Sequence, residues 1–532
     1  MRCGHVFADG EPSYTCSECG VDPTCVLCHK CFMKSEHRQH RFTVHISHGG
    51  GCCDCGDQEA WRGHAFCRIH KPHGDKEPTA SEALAQLPRA VSERLYDTID
   101  FVLRASAHVL ASDDGAMEAF VPTSATSLQC TTLYNDEVHT FDQVIGQLRR
   151  AVGAPADLGR TWANYVDVEG RAVVKVGREA ACIAAARVLC EIELDGREEP
   201  LTTVATQEVL TEALLWLCSA AKEVDAIRAV VCGCVCDIPL DDVLANRVTH
   251  KRDPLLKTLL LHMIRMWKRG RAAVRGILFS SVMLEIDYKA VLAVQFTQNY
   301  SEIIRLFADD ANEDQGGIGN ISVQIYTVPS LSRMLVQEHH VLTHLLGCLR
   351  TLLRTTPDGR VDCQQPFRDE TVNVLVDLRY ILRNDVGSAL PMIPALVNIL
   401  GMQQYMDPMV RKTGEHVHRE STSYRVAFQL TALTASLLSR LMDEHNLPPG
   451  DLEQAVAMLV AAVHSEVAAS PATTTVYCAP DDNGGGDGGG GDDGDDGDGD
   501  GDVRRPACVD GFRIPRISVQ SSANSWHHPI QR

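Results

Sequence analysis

The chain has no continuous apolar run of the roughly 18 residues that a membrane span needs, and Met1 is followed by Arg2 and Cys3 rather than by an apolar leader. Aromatic residues make up only 5% of the composition, so its cores must consist mostly of Leu, Val and Ala. These absences predict a cytosolic or nuclear protein without a membrane partner.

Clustered Lys and Arg are also lacking. The formal net charge is −20, and ten Asp between residues 481 and 502 account for half of it. Nucleic-acid affinity comes largely from clustered cations that release counterions from phosphates. The composition therefore argues against a nucleic-acid partner and favours a metal, peptide or protein.

A chain of 532 residues is too long for one core, because single cores stop growing near about 250 to 300 residues. Composition shifts and helical patterns predict a mixed fold: a Cys/His domain, a small α/β domain, a mostly α-helical scaffold and a disordered acidic Gly/Asp tract. The predicted boundaries are 1–77 for the Cys/His domain, 78–126 for a helical linker, 127–195 for the α/β unit, 200–470 for the scaffold, 480–502 for the disordered tract and 503–532 for the tail.

Within the linker, apolar residues at spacings of three and four predict one helix over residues 80–110. The α/β unit is predicted to contain a strand at 131–134, a turn at 135–136, helices at 141–151 and 178–189, and a hairpin around Glu169 and Gly170. In the scaffold, Asp253 and Pro254 are predicted to start a helix that Gly270 closes. Further stripes occur at 372–382, 389–400, 426–442 and 452–463, but no fixed period predicts a solenoid.

The first 73 residues hold ten of the 21 cysteines and nine of the 22 histidines. In a reducing compartment such Cys-x2-Cys pairs with His indicate zinc, which prefers four tetrahedral Cys or His ligands. The number of ligands is too large for two ions and suits three, particularly if one thiolate bridges two metals, although spacing alone does not show the bridge. The later cluster from Cys232 to Cys236 lacks partner pairs, which favours buried thiols.

A zinc domain could bind nucleic acid, bind protein or catalyse hydrolysis. The first needs stripes of Lys and Arg beside the metal, and the third needs an open three-ligand site with a spare Glu base. The sequence of the Cys/His region contains neither the Lys and Arg stripes nor the open three-ligand site. Protein recognition is the remaining interpretation.

Several short motifs in this block, in this order, resemble the UBR box, the zinc module of N-recognins, which are ubiquitin ligases that read destabilising N-terminal residues. They lie at Cys3 to Phe7, Thr15 to Cys19, Asp22 to Cys28, His37 to His40 and Gly49 to Asp57. The resemblance implies three zinc ions, with Cys31 shared between two. The implied ligand sets are Cys16, Cys19, His37 and His40; Cys3, Cys28, Cys31 and Cys53; and Cys31, Cys55, Cys67 and His70.

Three acids, Asp22, Asp54 and Asp57, lie between the predicted metal ligands, and their carboxylates are suited to bind a cation. An N-terminal Arg, Lys or His offers an α-ammonium and a basic side chain, and each charge-assisted hydrogen bond contributes about 1.5 to 3 kcal/mol. By resemblance, Asp54 with the carbonyl of Cys52 takes the α-amino group, although relatives commonly carry Phe at that position. Asp22 and Asp57 with Thr24 take the basic side chain, and Phe7 and Val26 face the second residue. Cys25 stays outside the ligand sets as a small buried residue.

The unit around Leu133 to Glu137 and Val166 to Arg171 resembles, more loosely, the adaptor ClpS and the ClpS-like domain of larger N-recognins. This resemblance implies a second pocket for bulky hydrophobic N-termini, in which Asn135 and Asp136 hold the α-amino group. Asn-Asp is also an ordinary turn pair.

Together the resemblances imply the substrate-binding part of a RING-type E3 ubiquitin-protein ligase of N-end-rule degradation. A RING would bring further Cys-x2-Cys and His ligands to recruit the ubiquitin-conjugating enzyme, and no such pattern follows. We therefore expect a truncated product or fragment of a ligase. The alternative is a stand-alone N-degron reader without ligase activity.

Overall fold

The computed structural model describes residues 2–71, 79–111, 128–136, 138–249, 253–263, 266–308, 318–352 and 370–384. Over these residues the expected mixed class is confirmed: a Cys/His region with a small sheet, a second small sheet with helices, and then helices. The acidic tract, the tail and the helical stripes at 389–400, 426–442 and 452–463 lie outside the described residues.

The Cys/His region folds around a three-stranded antiparallel sheet of order β2-β1-β3, with register pairs such as Tyr14 with Leu27 and Tyr14 with Val44. Seven of the twelve buried residues in its core are cysteines, so apolar burial alone is scant. A metal must supply what the core lacks. The elements are β1 (Asp9–Cys16), β2 (Leu27–Cys28), α1 (His29–Met33), a 3₁₀ turn (Glu36–Gln39) and β3 (Phe42–His48).

The helical stripe predicted over residues 80–110 forms two helices, α2 (Ala80–Ala85) and α3 (Arg89–Ala111). Thr79 and Glu82 cap the start of α2 reciprocally. Pro88 lacks a backbone N–H and cannot continue a helix, which accounts for the break. Both helices contribute buried residues to the core of the helical scaffold, including Leu84 and Leu103.

The α/β unit confirms the predicted strand and both predicted helices, but the hairpin at Glu169 and Gly170 is wrong. Those residues end a helix instead: Gly170 adopts φ 92° and its N–H bonds to the Val166 carbonyl, a left-handed helix end. The sheet order is β5-β4-β6, all antiparallel. Its elements are β4 (Gln129–Tyr134), α4 (Phe141–Val152), α5 (Ala156–Glu169), β5 (Arg171–Gly177), α6 (Glu179–Cys190) and β6 (Gly196–Pro200).

Arg171 joins this unit to the scaffold. Its guanidinium donates to Gln207 Oε1 at 2.6 Å and to Glu208 Oε1 at 2.7 Å, and it lies 3.4 Å from the ring centroid of Trp267. The side chain is only 2% exposed. A buried guanidinium needs this combination of charge, amide and aromatic partners.

The scaffold is a set of packed helices with one large apolar core. Pro254 precedes the first helical residue, Leu255, and that helix ends before Trp267, so Gly270 lies within the next helix rather than closing the first. Cys232, Cys234 and Cys236 are fully buried, as predicted. The helices are α7 (Leu201–Glu223), α8 (Asp225–Val235), α9 (Leu240–Leu244), α10 (Leu255–His262), α11 (Lys268–Ser280), α12 (Ile286–Gln298), α13 (Tyr300–Ala308), α14 (Ile318–Tyr326), α15 (Pro329–His339), α16 (Val341–Leu352) and α17 (Glu370–Asn384), with a 3₁₀ turn (Val282–Leu284).

Among the helices of the described ranges, none combines the length and the apolar character needed to cross a membrane.

Candidate functional site

The Cys/His region brings its predicted ligands together in three groups of four. In each group the ligand atoms all lie within 4.8 Å of one another, and Cys31 belongs to two groups. The groups are Cys16, Cys19, His37 and His40; Cys3, Cys28, Cys31 and Cys53; and Cys31, Cys55, Cys67 and His70. Cys25 is buried outside them, 3.8 Å from an Asp22 oxygen.

The distances suit tetrahedral zinc. Bonds of about 2.3 Å to sulfur and 2.0 to 2.1 Å to nitrogen place sulfurs about 3.8 Å apart, and sulfur and nitrogen about 3.6 Å apart. Cys3 Sγ lies 3.9 Å from Cys28 Sγ. His40 Nδ1 lies 3.6 Å from Cys16 Sγ, and His70 Nδ1 lies 3.3 Å from Cys67 Sγ.

His37 supplies an independent test of metal fit. Its Nε2 lies 3.1 Å from the His64 carbonyl, to which it can donate. Its Nδ1 is buried and has no hydrogen-bond partner within the described part of the chain. A ring that donates through one nitrogen leaves a lone pair on the other, which is how histidine binds metal. The unpartnered Nδ1 of His37 is therefore available to bind a metal ion together with Cys16, Cys19 and His40.

The thiols also influence one another. Hydrogen bonding from Cys31 lowers the pKa of Cys55 to about 5. Hydrogen bonding with Cys3 lowers the pKa of Cys28, whereas Cys28 raises the pKa of both Cys31 and Cys53. Four crowded thiols cannot all ionise without a compensating cation, and zinc provides one. The donor chemistry and the geometry agree on zinc binding.

Local structure places these ligands. Cys16 ends β1, His37 lies in the 3₁₀ turn and Cys31 lies on α1. Gly56 follows Cys55 with φ 96°, and a Cβ there would approach Arg2 Cα to 2.9 Å. Glycine is needed at this crossing because a side chain would collide with the first residues of the chain.

Four of the residues predicted to bind the substrate, Asp22, Thr24, Asp54 and Asp57, line one cavity. Asp22 Oδ1 accepts hydrogen bonds from the backbone N–H and the hydroxyl of Thr24. Asp57 Oδ1 accepts from the Glu59 N–H at 3.0 Å. The zinc-ligand loops thus hold the carboxylates in defined orientations.

Asp54 is held most firmly. Its Oδ2 accepts from the Val26 N–H at 2.7 Å, its own N–H donates to the Val26 carbonyl at 2.9 Å, and its carbonyl accepts from Trp61 Nε1 at 2.9 Å. Burial raises the pKa of Asp54 to about 7, although the Val26 N–H opposes this shift. Because burial makes its ionisation costly, the carboxylate of Asp54 is stabilised more by a bound cation than an exposed carboxylate would be.

Phe7, Val26 and Cys52 are not among the cavity's lining residues. Phe7 is 3% exposed within the Cys/His core. Cys52 packs into the scaffold core and also pairs with Val6 through a backbone bridge. Val26 contributes its backbone to Asp54 rather than a side chain to the cavity.

The structure adds residues that the sequence did not indicate. Trp61 is 3% exposed and lies 4.6 Å from the His37 ring, so it connects the first ligand group to Asp54. Arg2 forms an ion pair with Asp57 at 3.4 Å. The cavity wall also includes Lys289 of α12 and residues of α14 and α15. Trp61 is an aromatic residue between the predicted ligands Cys55 and Cys67, which could have marked it as a core residue of the Cys/His region. Nothing in the sequence around Lys289 indicated that it lines the cavity.

The second predicted pocket has a different character. Asp136 Oδ1 accepts from the N–H groups of Val138 and His139 at 2.9 Å, and its Oδ2 lies 3.0 Å from His139 Nδ1. Burial favours a higher pKa for Asp136, but the His139 and Val138 N–H groups outweigh it and the pKa is lowered. Asn135 donates its N–H to the Gly170 carbonyl. Both residues therefore have turn-forming roles.

Comparison with family models gives three matches along the chain. Residues 2–70 match a model described as a putative zinc finger in N-recognin (UBR box), and residues 125–203 match the ATP-dependent Clp protease adaptor protein ClpS. Residues 249–484 match the UBR1/2/3-like ARM repeat domain. The chain belongs to the UBR-box N-recognin family.

Relatives of this UBR-box protein include E3 ubiquitin-protein ligase UBR2 of Mus musculus, 30% identical over 83% of the chain and 26% of the relative. UBR1 of Drosophila melanogaster is 31% identical over 83% of the chain and 25% of the relative, and human UBR1 is 28% identical over 78% and 24%. The chain thus spans about a quarter of the length of these relatives. The third family model describes ARM repeats, although the sequence of this region shows no fixed repeat period.

Proposed function

We propose that this chain captures proteins by their N-termini, as the substrate-binding part of a RING-type E3 ubiquitin-protein ligase of N-end-rule degradation. In this proposal the UBR box binds N-terminal Arg, Lys or His, and a ubiquitin-conjugating enzyme is recruited elsewhere in the ligase. We place this activity in the cytosol or nucleus. The relatives' names as E3 ubiquitin-protein ligases support the general role.

The observation that carries the binding proposal is the convergence of three carboxylates on one cavity beside the metal groups. Asp22, Asp54 and Asp57 come from two separate loops, and each has a fixed orientation. Three converging carboxylates suit a ligand with two positive charges. Three zinc ions, one per ligand group with Cys31 shared, hold the loops in place in this proposal.

Calorimetry on the zinc-loaded full chain tests this function. A peptide that begins with Arg should bind with micromolar affinity. Two or three charge-assisted hydrogen bonds contribute about 1.5 to 3 kcal/mol each, and the cost of ordering the peptide is subtracted from their sum. Its N-acetylated twin lacks the α-ammonium and should show no measurable binding. Equal affinity for the two peptides would refute recognition of a free N-terminus.

The ClpS-like unit is proposed as a second, weaker site for bulky hydrophobic N-termini, with Asn135 and Asp136 holding the amine. Its support is the family match over residues 125–203. A Phe-initiated peptide should still bind when the UBR box is saturated with the Arg-initiated peptide.

Asp136→Asn should weaken Phe-peptide binding about tenfold by removing one charge-assisted bond, and the exposed substitution Asp142→Asn is the control. Loss of Phe-peptide binding under Arg-peptide saturation would instead place both ligands in one pocket.

A further inference from the structure

Lys289 is a scaffold residue in the wall of the UBR-box cavity. It lies on α12, is 3% exposed and lines the same cavity as Asp22, Asp54 and Asp57. Burial lowers the pKa of Lys289, while the carboxylates of Asp57 and Asp54 favour its charged form. Buried ammonium groups are rare in proteins unless opposite charges face them. The cavity therefore already contains a cation that belongs to the chain itself.

Specific contacts hold the scaffold against the UBR box. Glu59 accepts two hydrogen bonds from Ser330 at the start of α15, from its N–H at 2.9 Å and its hydroxyl at 2.6 Å. Asn320 Nδ2 donates to the Gly49 carbonyl at 3.2 Å. Cys52 is buried in the scaffold core that also contains the apolar face of α12. Both polar and apolar contacts thus position Lys289.

The cavity lies between the UBR box and the scaffold, and Lys289 lines it from the scaffold side. Val323, Thr327 and Pro329 of α14, α15 and their connection form its scaffold side. A basic side chain that reaches the carboxylates therefore enters a space that Lys289 also lines.

The charged groups of the cavity are of both signs. The carboxylates of Asp22, Asp54, Asp57 and Glu59 line it together with the Lys289 ammonium. An Arg-initiated N-terminus brings two positive charges, so its side chain and the Lys289 ammonium compete for the same carboxylates.

We propose that Lys289 is an internal competitor for the basic side chain of the N-terminal residue, and so determines how strongly this pocket prefers basic over neutral N-termini. The proposal rests on the function proposed above. Because Lys289 lines the same cavity as Asp54 and Asp57, an incoming basic side chain must compete with its ammonium for these carboxylates. A neutral first residue need not do so.

The test compares Lys289→Met and Lys289→Arg in the zinc-loaded full chain. Two peptides are titrated that differ only in a first residue of Arg or Ala. Lys289→Met should bind the Arg-initiated peptide about tenfold more tightly, the equivalent of one charge-assisted hydrogen bond, and the Ala-initiated peptide with little change. Lys289→Arg keeps the cation and should match the wild type. Lys222→Met removes an exposed scaffold lysine outside the cavity lining and should also match it.

A second variant separates charge from folding. Lys289→Gln removes the charge but keeps a polar side chain of similar length, so it tests the proposal even if Lys289→Met does not fold. It should also tighten Arg-peptide binding several-fold. An unchanged or weaker Arg-peptide affinity in both variants would overturn the proposal, as would equal gains for the two peptides in Lys289→Met.

The two failures are distinguishable. If the wild type prefers the Arg-initiated peptide over its acetylated twin but Lys289→Met gains nothing, only the role of Lys289 is refuted. If neither the wild type nor either variant distinguishes those two peptides, the proposed N-terminal recognition fails and the role of Lys289 fails with it.

Discussion

Cys31→Ala should lower the zinc content of the chain from the proposed three ions to at most one and abolish the proposed binding of Arg-initiated peptides. Cys31 lies within ligand distance of two of the three groups, so its loss leaves each of them with three ligands. The region has few apolar residues to hold it without metal, because seven of its twelve buried core residues are cysteines. Zinc per chain, measured after gel filtration in metal-free buffer, and calorimetry with the peptide provide the two measurements.

Cys25→Ala is the matched control. Cys25 is a buried thiol of the same region that lies outside every ligand group. Its substitution removes one sulfur from a packed core and should cost about 1 kcal/mol while leaving the zinc content unchanged. Three ions retained by Cys31→Ala, or zinc lost by Cys25→Ala, would contradict the ligand assignment.

Asp54→Asn should weaken binding of an Arg-initiated peptide about 100-fold, because it removes the charge proposed to hold the α-ammonium. The fold should survive, since the Asn side-chain oxygen can still accept from the Val26 N–H as Oδ2 of Asp54 does. Affinity is measured by calorimetry on the zinc-loaded full chain.

Asp9→Asn is the control for Asp54→Asn, because Asp9 is an exposed carboxylate at the start of β1 and does not line the cavity. It should bind the peptide as the wild type does. Zinc content should be unchanged in both variants, which separates lost recognition from lost folding. Undiminished binding by Asp54→Asn would exclude this carboxylate as the amine receptor.

Local spacing indicated a zinc site with several ions, and the resemblance to the UBR box implied which ligands form each group. Two ligands separated by two residues can reach one ion through a tight turn, whatever the rest of the fold does. The acids Asp22, Asp54 and Asp57 lie within these turns, so their meeting in one cavity followed from the ligand positions. Phe7 and Cys52 were predicted to contact the substrate, but both are buried in cores and do not line the cavity. Their burial depends on neighbours that are distant in sequence.

The errors in secondary structure have related causes. Glu169 and Gly170 have the sequence of a hairpin turn, but a glycine with positive φ also ends helices. The structure shows that Gly170 ends α5. Gly270 was placed at a helix end, although packing around Trp267 starts a new helix beside it. Residues 249–484 match a model of ARM repeats although no fixed period was predicted there. Helical repeats of variable length leave no fixed period in a sequence.

The sequence by itself determined that the first 70 residues form a zinc-type Cys/His region with acids between its ligands, because residue type and short spacing are local. Its motifs also indicated the family, and the resemblance implied the ligand groups. Only the tertiary structure decided that the scaffold forms one wall of the cavity, with Glu59 bound to Ser330 and Lys289 lining the same cavity as Asp54 and Asp57. These partners lie more than 200 residues apart in the chain. Their meeting depends on how α12, α14 and α15 pack, and helix packing follows from the shape of whole surfaces rather than from any local motif.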